Sequence, residues 1–151
     1  MHNTIIQIST KPIDPADYLD YCILPEWFTE GIADYGGDEK TIEDLSEYFP
    51  FKKDGEAYTL DLPEVTIVFQ KKHENIVKLA ETLTKLTYSD MMDGRVQPAY
   101  SIEYEIEDRF GTYIYDEDTD DLMTYDRWLR YTFRNNPDVR FFVGATLDYH
   151  C

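Results

Sequence analysis

Apolar side chains stand at every second position from Val139 through Phe141, Val143 and Ala145 to Leu147. A period of two suits an extended strand with one buried face, not a helix. A chain that closes on such a strand must build a sheet around it. Thr4 to Ile8 is β-favouring and is ended by Ser9, Thr10 and Pro12, which predicts a first strand. Asp54-Gly55 is a hairpin signal between the Phe49 to Lys53 run and the alternating Tyr58, Leu60 and Leu62. Val65 to Gln70 is also β-favouring, and Pro63 before it predicts a turn or an edge kink, because proline cannot donate to a ladder. Further on, Ile102, Tyr104 and Ile106 alternate with Glu103, Glu105 and Glu107. That pattern predicts a half-buried strand with a charged outer face, followed by a turn over Asp108 to Gly111 and an antiparallel return over Thr112 to Asp116.

Helical signals interleave with these. Asp14-Pro15-Ala16-Asp17 has a cap, a first-turn proline and an acid near the positive end of the dipole, predicting a short helix through Cys22 that Pro25 stops. Gly31 to Asp38 contains Gly36-Gly37 and reads as loop, with Trp27 and Phe28 folding back on the core. Thr41 is placed to cap a helix bearing Ile42, Leu45, Tyr48 and Phe49 and ended by Pro50. The clearest helix runs from Lys71 to Thr87, with Ile76, Val77, Leu79, Ala80, Leu83 and Leu86 on one face. Met91 to Pro98 reads as a connection. Thr124 caps a last helix holding Trp128, Leu129 and Phe133, with Asn135-Asn136-Pro137 as its stop. No 20–50-residue period repeats and no biased linker divides the chain. The expectation for residues 1–151 is a single α+β domain: a mostly antiparallel sheet with three or four helices packed mainly on one face.

The remaining question is whether so acidic a chain collapses at all. It carries 31 acidic against 14 basic side chains, a formal net charge of −17. High charge with few apolar residues gives disorder, but 42% of this chain is hydrophobic and 15% aromatic. Thirteen tyrosines and eight phenylalanines supply the core. At 151 residues a domain buries roughly 70% of the surface its unfolded chain exposes. Apolar runs are only a few residues long, well short of the roughly 20 needed to cross a bilayer. No basic stretch followed by an apolar one opens the sequence. The expectation is a cytoplasmic protein that is neither exported nor membrane-bound.

The charge is also concentrated. Nine carboxylates fall between Ser101 and Asp121, namely Glu103, Glu105, Glu107, Asp108, Asp116, Glu117, Asp118, Asp120 and Asp121, against the single cation Arg109. Such a field repels nucleic acid and anionic membranes and attracts basic proteins or metal ions. These nine residues are the candidate partner-binding surface. On a strand, Glu103, Glu105 and Glu107 would share one face at intervals of about 6.7 Å, a row that a DNA-binding groove could take for phosphates. The plainer reading is a solvated face that blunts edge-to-edge aggregation. In size and charge, though in no motif, the chain resembles small acidic proteins that inhibit nucleic-acid enzymes by imitating DNA.

Other chemistry finds less support. Asp116, Asp118 and Asp120 imitate the start of a calcium loop, but position six is Asp121 instead of glycine and position twelve is Arg127 instead of glutamate. Divalent binding by the Asp116 to Asp121 loop, in a metal-binding domain or a metal-assisted enzyme, stands as the alternative function. A third reading is an interaction module that uses its tyrosines while its charge serves only solubility. His2, His73 and His150 lie in no metal-ligand spacing, and Cys22 and Cys151 form no disulfide framework. Phosphate-loop, dinucleotide, zincin and nucleophile-elbow motifs are missing. No catalytic residue, metal ligand or cofactor is therefore assigned. Arg127, Arg130 and Arg134 fall on one helix face and suit its negative end and nearby carboxylates. The reading that results is a non-enzymatic acidic interaction protein for a basic partner, one form of which is a DNA-mimic inhibitor of a restriction or CRISPR system.

Overall fold

The alternating C-terminal segment is the axis of the sheet. In the computed structural model, which describes residues 2–39 and 42–151, this strand, β7, spans Arg140–His150. Along one edge it pairs antiparallel with β1 (His2–Ser9). Its other edge takes β4 (Ala57–Leu60) near its start and β2 (Tyr35–Glu39) near its end. β3 (Phe51–Asp54) forms the expected hairpin with β4 around Gly55, whose φ of +64° is one that glycine adopts freely. Beyond β1 lie β5 (Tyr113–Asp116), parallel to it, and β6 (Asp121–Thr124), antiparallel to β5. The order is β3-β4-β7-β1-β5-β6, with β2 paired to β7 in a seven-stranded, mostly antiparallel sheet.

Alternation along the strands loads both faces. Ile5, Tyr113, Leu147 and Tyr149 pack with Leu19, Leu24 and Phe28 on one side. Ile6, Ile8, Ile114 and Phe141 pack with Val65, Trp128 and Leu129 on the other. The second face receives the long helices α2 (Leu62–Leu83) and α5 (Tyr125–Asn135). The first is closed by short pieces: two 3-10 turns at Pro15–Asp17 and Tyr21–Ile23, and the single-turn helix α1 (Glu26–Thr29). Two more helices, α3 (Tyr88–Met92) and α4 (Gln97–Ile106), complete an α+β domain with five α-helices among the described residues, one more than the largest number expected. α2 packs chiefly against α4, so the chain from the middle of α2 to the end of α4 forms an arm.

Several local expectations are corrected, the two largest by proline. Val65 to Gln70 is not a strand but the start of α2. Asp61 caps that helix by accepting from the Glu64 N–H, and Pro63 sits in the first turn, where a missing N–H costs nothing. The same device converts Ser101 to Glu107. Pro98 opens α4, and the alternation of Ile102, Tyr104 and Ile106 is wound into a helix. Thr112 to Asp116 therefore has no strand there to return to; it pairs with β1 and β6 instead. The segment from Asp14 to Cys22 breaks into its two 3-10 turns, capped by Asp14 and Asp20. The Gly36-Gly37 loop contains β2. Part of the Met91 to Pro98 connection is helical. The proposed cap Thr41 lies outside the described residues, and the helix it was to start is reduced to a 3-10 turn over Leu45–Glu47, capped by Asp44. Phe28 is fully buried as expected, whereas Trp27 is 51% exposed.

One buried amide ties the acidic region to the core. Gln7 Nε2 donates to the Asp17 carbonyl at 2.9 Å and to Glu117 Oε2 at 2.8 Å. Its Oε1 accepts from Leu19 N–H at 2.9 Å and Ala145 N–H at 3.0 Å. Gln7 is itself fully buried, and these four bonds satisfy its amide. Gly144 is required beside it, since a Cβ there would lie 2.5 Å from Gln7 Oε1.

Candidate interaction surface

The helical state of α4 dismantles the expected row of glutamates. Residues two apart on a helix face different ways, while those four apart share a side. Glu103 and Glu107 accordingly lie together, and Glu105 turns toward α2. There its Oε1 accepts from Asn75 Nδ2 at 3.1 Å, and its carbonyl accepts from Lys72 Nζ at 3.1 Å. Glu107 also has internal partners: Oε1 accepts from Thr124 Oγ1 at 2.8 Å, and Oε2 lies 3.4 Å from Arg130 Nη2. Arg130 donates in addition to the Ile106 carbonyl. Asp108 closes a local turn by accepting from Phe110 N–H at 3.0 Å, and its own N–H donates to Asp126 Oδ2 at 2.9 Å. Asp126, buried at the start of α5, is paired with Lys72 of α2 at 3.1 Å. Of the four carboxylates from Glu103 to Asp108, Glu103 is the exposed one, with no bond to another side chain among the described residues.

The other five acids form the β5–β6 turn. Asp116 stands opposite Asp121 in the ladder, and its Oδ1 accepts from Asp118 N–H at 3.0 Å. Burial pushes the Asp116 carboxyl up from its ordinary value. Asp118 reaches across to β1, accepting from Ser9 Oγ at 3.0 Å and from Thr10 N–H at 2.7 Å. Desolvation raises its carboxyl, but the Thr10 and Ser9 hydrogen bonds outweigh that and hold it below the usual aspartate value. Asp120 has φ of +50° and accepts from Tyr115 OH, which, with burial, pushes that phenol up to about 12. Glu117, Asp118, Asp120 and Asp121 remain exposed, so each hydrogen-bonded carboxylate among them still meets water.

The candidate surface is thus two groups, not one. Glu107 is anchored to Thr124 at one end of β6 and Asp121 begins the other, a separation of three residues or about 10 Å along a strand. Among the described residues no three His, Cys, Asp or Glu side chains converge to hold a metal ion. A nucleophilic thiol finds no support at Cys22, because its hydrogen bond to Asp20 pushes the exposed thiol up, away from thiolate.

What the sequence did not disclose is the apolar surface beside these acids. A cleft of about 750 Å³ opens between α4, α1 and the β5–β6 edge, lined among others by Trp27, Ile32, Ile102, Ile106, Glu103 and Glu107. Arg109, in the loop after α4, and Arg127, on α5, line it too, so its carboxylates are matched by as many cations. On the far side of α4, a notch of about 180 Å³ lies between Tyr100, Tyr104 and Phe110 and shares Glu103, Glu107 and Arg109 with the cleft. Around the acidic turn a third hollow, about 480 Å³, has Met123, Trp128 and Phe141 inside and Asp116, Asp118 and Asp121 among its walls. A helical reading of Gln97 to Ile106, with Pro98 as its first-turn residue, would have exposed the α4 signal.

Comparison with known proteins returns no match to a family model, a curated sequence or a solved structure.

Proposed function

We propose that this protein is a non-enzymatic binding protein whose anionic surface takes a basic partner. A nucleic-acid-binding groove, built to meet clustered phosphates, is the form of partner that the exposed carboxylates of the turn suit, which makes DNA-mimic inhibition the specific mode. The observation that supports this reading is the tight β5–β6 turn presenting Glu117, Asp118, Asp120 and Asp121 to solvent in a chain of net charge −17. Opposite charge steers encounter and selects against anionic competitors.

The experiment uses the exposed acids that carry no structural bond. Glu103→Lys combined with Asp121→Lys leaves Glu105, Glu107 and Asp118 in their internal roles. Captured basic protein from cell extract should elute as salt rises, duplex DNA should compete for it, and the double variant should lose capture with an unchanged melting temperature. Capture that survives both high salt and charge reversal ends the reading. Salt-sensitive capture that DNA does not displace removes mimicry and leaves a general basic partner.

A further inference from the structure

α5 buries Asp126, Trp128, Leu129 and Thr132 and leaves Arg127, Arg130, Tyr131 and Arg134 exposed. Beside these four lies a hollow of about 680 Å³, closed by Phe69 of α2 together with Phe133 and Asn135. Phe69 and Phe133 are half-buried, with ring centroids 6.0 Å apart. No carboxylate lines this hollow, unlike the cleft, the notch and the hollow at the acidic turn. Three of the six arginines in a chain of net charge −17 stand around it. Helix stability accounts for only part of that row. Arg134, in the last turn, suits the negative end of the dipole. Arg130 is tied through Nη1 to the Ile106 carbonyl and through Nη2 to Glu107. Arg127 stands in the first turn, where the dipole opposes a cation. Neither Arg127 nor Arg134 has a side-chain hydrogen bond or ion pair among the described residues. Arg127 also borders the cleft and the hollow at the acidic turn, so Arg130 and Arg134 are the pair that belongs to this hollow alone.

We infer that this hollow binds a small aromatic molecule bearing a dianionic phosphate. Its ring lies on Phe69 and Phe133, and its phosphate accepts from Arg134 and from the guanidinium donors that Arg130 does not use internally. Residues four apart on a helix are neighbours, so the two side chains reach a single phosphate. The guanidinium fork is planar, permanently charged and matched to phosphate oxygens, which is why it outperforms a point charge there. An apolar floor with a few convergent polar groups, in a volume of several hundred Å³, is the usual build of a small-molecule site. The charge of the lining excludes a cation, and the aromatic floor favours a ringed anion over a bare one. The net charge of −17 does not forbid an anion here: at physiological salt it acts through a Debye length of about 8 Å, whereas the forks act at contact. This site uses none of the acids assigned to the basic partner, so it stands or falls apart from that reading.

Four probes test this on the full chain at about 0.15 M salt: adenosine 5′-monophosphate, phenyl phosphate, adenosine and inorganic phosphate. Affinity is read by calorimetry, and the place of binding by the ring resonances of Phe69 and Phe133. Each aromatic phosphate should bind at least about tenfold more tightly than inorganic phosphate, and the nucleotide at least about tenfold more tightly than adenosine, shifting those resonances. Arg134→Gln should weaken the nucleotide several-fold with an unchanged melting temperature, and Phe69→Leu should weaken it while leaving inorganic phosphate as it was. Glu103→Lys combined with Asp121→Lys should not weaken it, which separates this site from the acidic surface. Equal binding of nucleotide and inorganic phosphate overturns the aromatic floor. Equal binding of nucleotide and adenosine overturns the phosphate contact, and full affinity in Arg134→Gln overturns the location. A dimer that Arg134→Gln dissociates would show that the acidic turn of a second copy covers the arginine row, overturning the small ligand.

Discussion

β1 and α4 are made from similar stretches of apolar and polar residues, yet they end in opposite states. In β1 every residue from Thr4 to Ser9 is buried, because helices or loops cover both faces of the sheet. α4 buries none, and in the 22 residues of α2 only Val65 is buried. One region of the chain therefore holds the fold together, while the other holds apolar and acidic side chains out to solvent on a frame of backbone hydrogen bonds. The difference teaches that stability and recognition can be altered separately here. Substitutions in the two regions should accordingly differ sharply in what they cost.

The largest effect belongs to the sheet. Phe141 is 1% exposed and meets Phe51, Tyr58 and Trp128 edge-on or stacked at centroid distances of 5.1, 6.0 and 5.4 Å. Phe141→Ala should lower unfolding free energy by about 3–5 kcal/mol, measured by denaturant titration. A loss below about 1 kcal/mol would mean that the second core cluster is not where stability resides.

Next in size is the clamp between the two regions. Asp126→Ala strands the Lys72 ammonium and the Asp108 N–H, both of which it serves. The cost should be about 2–3 kcal/mol, at or below the low end of the roughly 3–5 kcal/mol for a fully buried pair, because Lys72 is a quarter exposed and keeps the Glu105 carbonyl as a partner. Hydrogen exchange should reveal the arm opening first, with amides in 97–106 exchanging well before those of β1 and β7. Uniform acceleration across the protein would show that arm and sheet unfold as one unit.

A smaller and pH-dependent effect is expected at the acidic turn. The Asp118 carboxyl is held below its unfolded value, so its contribution is fully present above the ordinary aspartate value and is lost as pH falls through the lowered folded value. Asp118→Asn should cost about 1 kcal/mol near neutrality, discounted for its exposure, and nothing once pH lies below that value. Asp116 has the opposite sign. Burial raises its carboxyl, so the ionised form opposes folding at neutral pH, and the cost disappears as pH falls through the raised folded value. Asp116→Asn should therefore stabilise slightly at neutral pH. Denaturation midpoints for both variants at neutral pH and again below the lowered Asp118 value decide the signs.

How much of this was legible in the sequence follows the kind of signal available. Period-two alternation from Val139 to Leu147 marked β7, Asp54-Gly55 marked the β3–β4 hairpin, and Thr124 marked the start of α5, whose N–H at Arg127 it caps. Those signals are local and were not overridden. At Val65 and at Ile102 the same kind of signal misled, because β-branched and alternating residues state only a weak backbone preference. Packing of α2 on α4 and a proline in each first turn decided for helix. The nine acids are a concentration of charge in the sequence, which the fold divides between the end of α4 and the β5–β6 turn, and where that turn sits depends on the parallel pairing of β1 with β5. Residues more than a hundred positions apart make that pairing, and no local pattern announces it.

The smallest expected effect on stability is the one that tests the separation most directly. Tyr104 is 47% exposed and points away from the α2 side of its helix, so its removal leaves no enclosed cavity. Alanine is also the better helix former, by several tenths of a kcal/mol, which offsets the absence of the ring from the notch. Tyr104→Ala should then leave unfolding free energy within about 0.5 kcal/mol of the parent. If denaturant titration shows instead a loss near that of Phe141→Ala, the α4 aromatics belong to the core in solution. In that case the arm is folded down over them, and the separation between a stabilising sheet and a presenting arm does not hold.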